Sequence, residues 1–409
     1  MKKTLLFLFA FHFCDEFFSQ EINIGELKKH VTYLSSDALE GRGTSSEGEK
    51  KSSMYIQMQF RIANLQPKGL QGYVSPFIFK KNSDPHDTNL VNLPERKGLN
   101  VIGYLDNSAE NTVIIGAHHD HLGMGYDKNS LEANPEGKIH HGADDNASGV
   151  AGLIELANYF SGNGRKEKFN FLFICFSGEE LGLIGSKKFC ENPTIDLERV
   201  NFMINMDMIG RLNDSTKKLV IYGVGTAPDF VPLIDKLQSD LSIKKDSSGI
   251  GPSDQTSFYL KNIPVLHFFT GQHSDYHKPG DVADKINYEG EKKVLELVIQ
   301  LIEETEKLPK LIFATTKNTE ETKTSFKVTL GIMPDYVFEG KGLRADGVTE
   351  GRPASKAGLK AGDIIIQLGE ITVNNIQDYM KALSQFNKGD SSKVRILREQ
   401  KELMIDVVF

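Results

Sequence analysis

The sequence predicts an α/β protein: a mainly parallel central sheet flanked by helices, followed by a small β-rich unit. Three observations carry this expectation. Short apolar runs at 113–117, 169–176, 200–206, 219–224 and 264–270 alternate with helical stretches such as 148–160 and 227–242. Runs such as FNFLFICF at 169–176 are apolar almost throughout, as expected for strands covered on both faces. A polar, Thr-rich stretch at 313–324 (FATTKNTEETKT) then precedes a segment of short strands and one helix. The 409 residues are 39% hydrophobic and 25% charged, which excludes a mostly disordered or collagen-like chain. At ~150 residues per domain the length allows two to three domains.

The N-terminus differs from the rest. Lys2 and Lys3 precede an apolar run to Phe13, and polar residues follow from Asp15. This is the layout of a secretory signal, expected over residues 1–20 with cleavage near Ser19–Gln20. The expected location is therefore periplasmic or secreted. No apolar run reaches the ~18 residues that span a bilayer, so no transmembrane segment is expected. Phe11, His12 and Phe13 are too bulky for a lipid-anchor motif at Cys14. Removal of the signal leaves Cys175 and Cys190, which are expected to be buried free thiols rather than a disulfide framework. The net charge of −7, from 48 basic and 55 acidic residues, argues against a nucleic-acid partner.

Residues 24–65 read as two helices, the second from about Glu47 to Leu65 with apolar residues at helical spacing. Residues 66–98 read as loop, being rich in Pro, Gly, Asn and Asp. The alternating strands and helices follow, and an amphipathic helix at about 288–306 closes the first unit. The domain expectation is a first domain over 21–312, a linker over 313–324 and a second domain over 325–409.

Acids and histidines follow the predicted strands. After VIIGA comes His118-His119-Asp120-His121-Leu122-Gly123. Gly142-Ala143-Asp144-Asp145-Asn146 opens a helix. Ser177-Gly178-Glu179-Glu180 follows FLFICF, Asp207 follows VNFMINM, and GQHSDYHKPGD runs from Gly271 to Asp281. In an open α/β sheet, ligands bind beyond the carboxyl ends of the strands. Taken singly, each piece has a plain structural reading: a hydrogen-bonded histidine, a helix cap, a solvated turn. Together they supply imidazoles and carboxylates without a thiolate, which suits Zn, Mn or Co in a hydrolytic site. Two histidines and three carboxylates can hold two ions if one carboxylate bridges. Of Glu179 and Glu180, one can ligate while the other moves protons.

GAHHDHLG, GADDNASG, FSGEELGLIGS, NMDMIGR and DYHKPGD resemble the motifs of the secreted zinc aminopeptidases of the aminopeptidase S / aminopeptidase Y type. The resemblance covers residues 30–306 and implies a zinc exopeptidase fold with two Zn²⁺ per chain. It implies His118, Asp145, Glu180, Asp207 and His277 as metal ligands, with Asp145 bridging. Asp145 is preferred to Asp144 because the family keeps an acid at the second position. Glu179 would be the general acid/base and Tyr276 would hydrogen-bond the oxyanion. Asp120 would orient His118, leaving His119 as a neighbour lining the cleft. Relatives often carry a histidine where this chain has Gln255, in a segment expected to border the substrate cleft. The implied activity is removal of N-terminal residues from peptides with a free N-terminus.

Residues 325–409 resemble a PDZ domain of the bacterial protease-associated kind. TLGI at 329–332 is similar to its carboxylate-binding loop, and GVTEGRPASKAGLKAGDIIIQLGEITV at 347–373 to its most recognisable stretch. The implied partner is a peptide C-terminus that pairs as an extra strand. Two other functions fit less of the pattern. A glutaminyl-cyclase-like acyl transferase would use one zinc, and a receptor-like scaffold would have lost ligands or the base.

Overall fold

A computed structural model describes residues 21–80, 93–127, 129–316, 328–334, 338, 340–348, 351–374 and 376–409. The expected signal, 1–20, and the expected linker from 317 onward lie outside the described residues. In the N-terminal unit, helix α1 (Ile24–Leu34) starts at Asn23, whose side chain accepts from the N–H of Gly25 at 2.9 Å. Helix α2 (Glu47–Ile62) starts at Ser46, whose hydroxyl accepts from the N–H of Glu49. Both are capped helices of the kind the sequence predicts.

The sheet contains β1 (Gln66–Pro67), β2 (Val74–Phe79), β3 (Arg96–Leu105), β4 (Asn111–His118), β5 (Phe169–Phe176), β6 (Val200–Met206), β7 (Lys218–Tyr222), β8 (Ser242–Lys245) and β9 (Val265–Phe269). Their order is β1-β3-β5-β4-β6-β9-β7-β8, with β2 also on β3. The central strands β5, β4, β6 and β9 are mutually parallel. Antiparallel pairing occurs where β3 meets β5 and where β7 meets β9, so the sheet is mixed towards its edges. The parallel core brings the carboxyl ends of four strands to one edge, and the residues that follow them meet there.

Helices cover both faces. α1, α3 (Gly149–Gly162) and α7 (Tyr288–Thr305) pack with α5 (Phe230–Ile234) over one face, around Leu27, Leu153, Phe171, Phe202 and Val298. α4 (Ile184–Glu191) and α6 (Gln255–Tyr259) cover the other, around Phe176, Phe189 and Phe258. Cys175 and Cys190 belong to opposite faces and are buried free thiols. Burial alone pushes the Cys175 thiol up, and it dominates at Cys190, pushed up to about 12.

Two segments differ from the sequence reading. Part of the expected loop at 66–98 is strand: β2 pairs with β3 in an antiparallel register from Val74↔Val101 to Phe79↔Arg96. Pro76 in β2 and Gly98 and Gly103 in β3 hid this pairing, because they are turn formers in any local reading. The glycines serve close packing: a Cβ at Gly103 would lie 2.8 Å from the Phe60 ring. The expected helix at 227–242 reduces to the five residues of α5. The helix stops at Asp235, well before Ser239, Asp240 and Ser242, and β8 begins at Ser242.

Residues 311–316, partly within the expected linker, run along the first unit. Leu311 N–H donates to Asn201 Oδ1 and Ala314 N–H to the carbonyl of Thr226, each at 2.8 Å. The C-terminal unit contains β10 (Ile332–Pro334), β11 (Leu343–Val348), α8 (Pro353–Lys356), β12 (Ile364–Leu368), β13 (Ile371–Thr372), α9 (Ile376–Leu383), β14 (Ser391–Arg398) and β15 (Lys401–Val408). Its antiparallel sheet runs β10-β11-β12-β14-β15, with β13 on β12. It has its own core around Leu330, Ile365, Val394 and Ile396. A bidentate pair from Arg398 to buried Asp363, with both contacts at 2.7 Å, ties β14 to the turn before β12.

Candidate metal centre

Each strand end delivers one part of the centre. His118 is the last residue of β4, Asp207 directly follows β6, and Glu179 and Glu180 lie in the turn after β5. Asp145 precedes α3, and its backbone is held by Asp281: Oδ2 of Asp281 accepts from the N–H groups of both Asp144 and Asp145, at 2.9 and 3.0 Å. His277 lies in the loop after β9 with φ +54°, held there because its carbonyl accepts from Leu131 N–H and Ser130 Oγ.

The structure brings His118, Asp145, Glu180, Asp207 and His277 together. Nε2 of His118 lies 3.3 Å from Asp145 Oδ1 and 3.2 Å from Asp207 Oδ1. Nε2 of His277 lies 3.3 Å from Asp145 Oδ2 and 3.2 Å from Glu180 Oε2. Asp145 thus gives one oxygen to each of two donor sets. Glu179 and Tyr276 line the same cleft. The Tyr276 ring stacks on His277 with centroids 3.9 Å apart.

The donor set fits divalent metal. Four-coordinate zinc with bonds of ~2.0–2.1 Å has ligand–ligand edges of about 3.3–3.4 Å, close to all four spacings. The tautomers point the same way. His118 Nδ1 donates to the carbonyl of Asp120 at 3.1 Å and His277 Nδ1 to that of Asn129 at 2.8 Å. With Nδ1 donating, each ring turns Nε2 towards two carboxylate oxygens, the arrangement a shared metal ion would fit. A proton on Nε2 could satisfy only one of the two oxygens with a straight hydrogen bond.

The electrostatics report the same negative field. Burial pushes His118 and His277 down, but the facing carboxylates outweigh it and hold both well above the usual histidine range. Burial pushes Asp145 up, but His121, His118 and His277 outweigh it and hold it well below the usual range. Glu180 is likewise lowered to about 2 by His277 and His121 against the pull of burial. Glu179 goes the other way. Burial, with Asp207, Asp254 and Glu180 nearby, raises it well above the carboxylate range. Adjacent residues in one turn therefore have opposed proton affinities, as a ligand and a proton carrier require.

Several site residues differ in detail from the sequence reading. It is the backbone carbonyl of Asp120 that meets His118 Nδ1; its nearest carboxylate oxygen is 3.8 Å away. That carboxylate instead accepts from Thr44 Oγ1 at 2.8 Å and from the N–H of Glu179 at 3.2 Å, fixing the Glu179 turn. His119 is fully buried behind the cleft, with Nε2 donating to the carbonyl of Leu99. Gln255 is also buried; Pro252 is the member of its segment that lines the cleft. The Gln255 amide oxygen accepts from Asn205 Nδ2, which also contacts Nδ1 of His267 at 3.2 Å. His267 forms part of the cleft wall, stacked between Tyr222 and Phe269.

Sequence reasoning assigned no role to Arg42, His121, Asn129 or Asp281. Arg42 is buried, and its guanidinium donates to the carbonyls of Leu34, His119, His141 and Gly142. Burial outweighs nearby acids and lowers it to about 10. His121 donates from Nδ1 to Glu180 Oε1 at 2.7 Å. With His118, Asp145 and Asp207 forming one close donor group, His121, Asp145 and Glu180 form another. The only sequence signal for His121 was its place in the motif HHDHLG, where a third histidine reads as a bystander.

Residues 100–302 match the model of peptidase family M28, and residues 318–408 that of the PDZ domain. A probable leucine aminopeptidase of Arthroderma otae is 26% identical over 204 residues, covering 47% of this chain and 53% of that protein. The chain thus spans about half the length of that curated relative. Among solved structures, an aminopeptidase from Aneurinibacillus sp. strain AM-1 aligns with a TM-score of 0.55 at 20% identity, covering 74% of this chain and 97% of that one. A glutaminyl cyclase of Bacteroides thetaiotaomicron aligns with a TM-score of 0.54 at 17% identity, covering 69% and 98%. These two likenesses show the α/β fold, and the family models divide the chain into a stretch that matches peptidase family M28 and, after it, one that matches the PDZ domain.

Proposed function

We propose that the chain is an extracytoplasmic aminopeptidase that removes N-terminal residues from peptides with two zinc ions. The observation that carries this reading is Asp145, which turns one oxygen to each of two donor sets. His118 and Asp207 complete one set; Glu180 and His277 complete the other. A single-zinc cyclase would need only one of them. Bound at these donors, two divalent ions would supply an acidified water and polarise the scissile carbonyl.

The chain's own residues do the rest. Glu179 stands in the cleft beside the donors without belonging to either set, so it takes the proton from the attacking water and returns it to the departing amine. Its raised proton affinity suits the second of these steps. Tyr276 borders the same space and is placed to donate to the oxygen that gains charge. The acids around the donors favour a substrate's cationic α-amine. Met208, Tyr222, Pro252, His267 and Phe269 offer a mostly apolar wall for the first side chain. Export rests on the N-terminal signal pattern. Among the described residues, no helix is long and apolar enough to cross a membrane.

A panel of aminoacyl chromogenic substrates on metal-reconstituted protein tests the reading, with N-acetylated controls and an N-terminal glutaminyl peptide. Hydrolysis confined to free amines is the expected result. Cleavage within a blocked peptide would sink the exopeptidase reading, and pyroglutamate as the sole product would replace it with the cyclase.

A further inference from the structure

Glu180 has two oxygens, and they do different work. Oε2 lies at the spacing of a shared coordination shell, 3.2 Å from His277 Nε2. Oε1 lies 2.7 Å from His121 Nδ1, a hydrogen-bond length and too short for a coordination edge of about 3.3 Å. His121 Nδ1 is also 3.8 Å from Asp145 Oδ2, wider than such an edge. By these distances His121 stands outside the coordination shell while touching one of its members.

The ring is built in rather than loosely placed. His121 is 2% exposed. Its backbone N–H donates to the carbonyl of Arg42, and the carbonyl of Gly142, beside the ring, accepts from the Arg42 guanidinium. Gly142, at φ +57°, lets the backbone pass close to the ring: a Cβ there would meet His121 Cδ2 at 2.5 Å. Nε2 of His121 is buried and has no hydrogen-bond partner among the described residues. Among the described residues, Nδ1 to Glu180 is therefore the ring's one hydrogen bond, and the packing serves that contact.

We infer that His121 is a positioning residue for Glu180. It donates from Nδ1 to Oε1, which holds the carboxylate in one rotamer and directs Oε2 to the ion shared with Asp145 and His277. The inference rests on the two-ion reading above. It extends that reading by assigning the third histidine of the HHDHLG motif to the Glu180–His277 half of the centre. The half formed by His118 and Asp207 does not use it.

The test replaces the ring in two ways and reads metal rather than turnover. In His121→Asn the amide N–H can stand where Nδ1 stood; His121→Leu fills similar space without a donor. Zinc is counted per chain and its affinity measured by competition with a chromophoric chelator. The wild-type protein should hold two ions. His121→Leu should keep one at unchanged affinity and bind the other about 10–100-fold more weakly, while His121→Asn should recover most of that loss. Unchanged affinity for both ions in His121→Leu would overturn the positioning role. So would a Co(II) absorption spectrum that loses an imidazole ligand in His121→Asn, because His121 would then be a ligand itself. Fewer than two ions on the wild-type protein would overturn the two-ion reading and this inference with it.

Discussion

Glu179 and Glu180 are adjacent in sequence and opposite in character. Glu180 is pulled to about 2 by the histidines it faces, and Glu179 is pushed up by burial among acids. Glu179→Gln should therefore leave metal content intact while removing proton transfer, for a loss of ~10²–10⁴-fold in kcat. Zinc counts beside single-turnover rates check this; loss of an ion would mean that the two roles are exchanged. The sequence offered the pair as one ligand and one proton carrier, and the resemblance implied which was which. His121 was not readable, because its role depends on which oxygen of Glu180 it reaches, and that is set by a turn 59 residues away.

At the scale of elements, the centre depends on loops that carry no ligand. Arg42 ends the short helical turn after α1 and binds carbonyls at the end of α1, after β4 and just before Asp145. Its planar fork serves four acceptors, and a lysine can reach only some of them. Arg42→Lys should lower stability by about 2–4 kcal/mol through carbonyls left buried and unpaired, and should weaken zinc binding because the segment before Asp145 loses its anchor. Thermal melting with and without zinc reads both effects; an unchanged melt would show that water replaces the fork. The sequence reading found the long, uninterrupted strands: β5 and β6 begin and end where their apolar runs do. It missed β2 and β3, where Pro76 interrupts the strand pattern and Gly98 and Gly103 serve tertiary packing against local propensity. A single arginine in SDALEGRG likewise gave no hint that a nearby carbonyl and three distant ones converge on it.

At the scale of the whole molecule, the division of labour between the two units can be tested by where the chain is cut. All the donors lie between His118 and His277, and α7 closes their unit at Thr305. The chain does not leave that unit there. Leu311, Ala314 and Thr316 are hydrogen-bonded to Asn201, Thr226 and Tyr259, the last through Thr316 N–H at 3.1 Å from the tyrosine hydroxyl. Tyr259 ends α6, whose preceding loop supplies Pro252 to the cleft. A chain ending just after Thr316 should keep these contacts. It should fold, hold zinc and hydrolyse small aminoacyl substrates at close to the full rate. A chain ending at Glu306 should lose the strap and melt at a lower temperature, with a raised KM where the Pro252 wall shifts. The PDZ domain has a separate core and, among the described residues, contributes no donor. Its removal should therefore be felt only on long peptides, where binding at a second site raises the effective concentration of the N-terminus. Comparing kcat/KM for a dipeptide and a long peptide across the three chains separates these effects. If the chain ending after Thr316 stayed folded and metal-loaded but lost the dipeptide activity, the PDZ domain would have to complete the cleft itself.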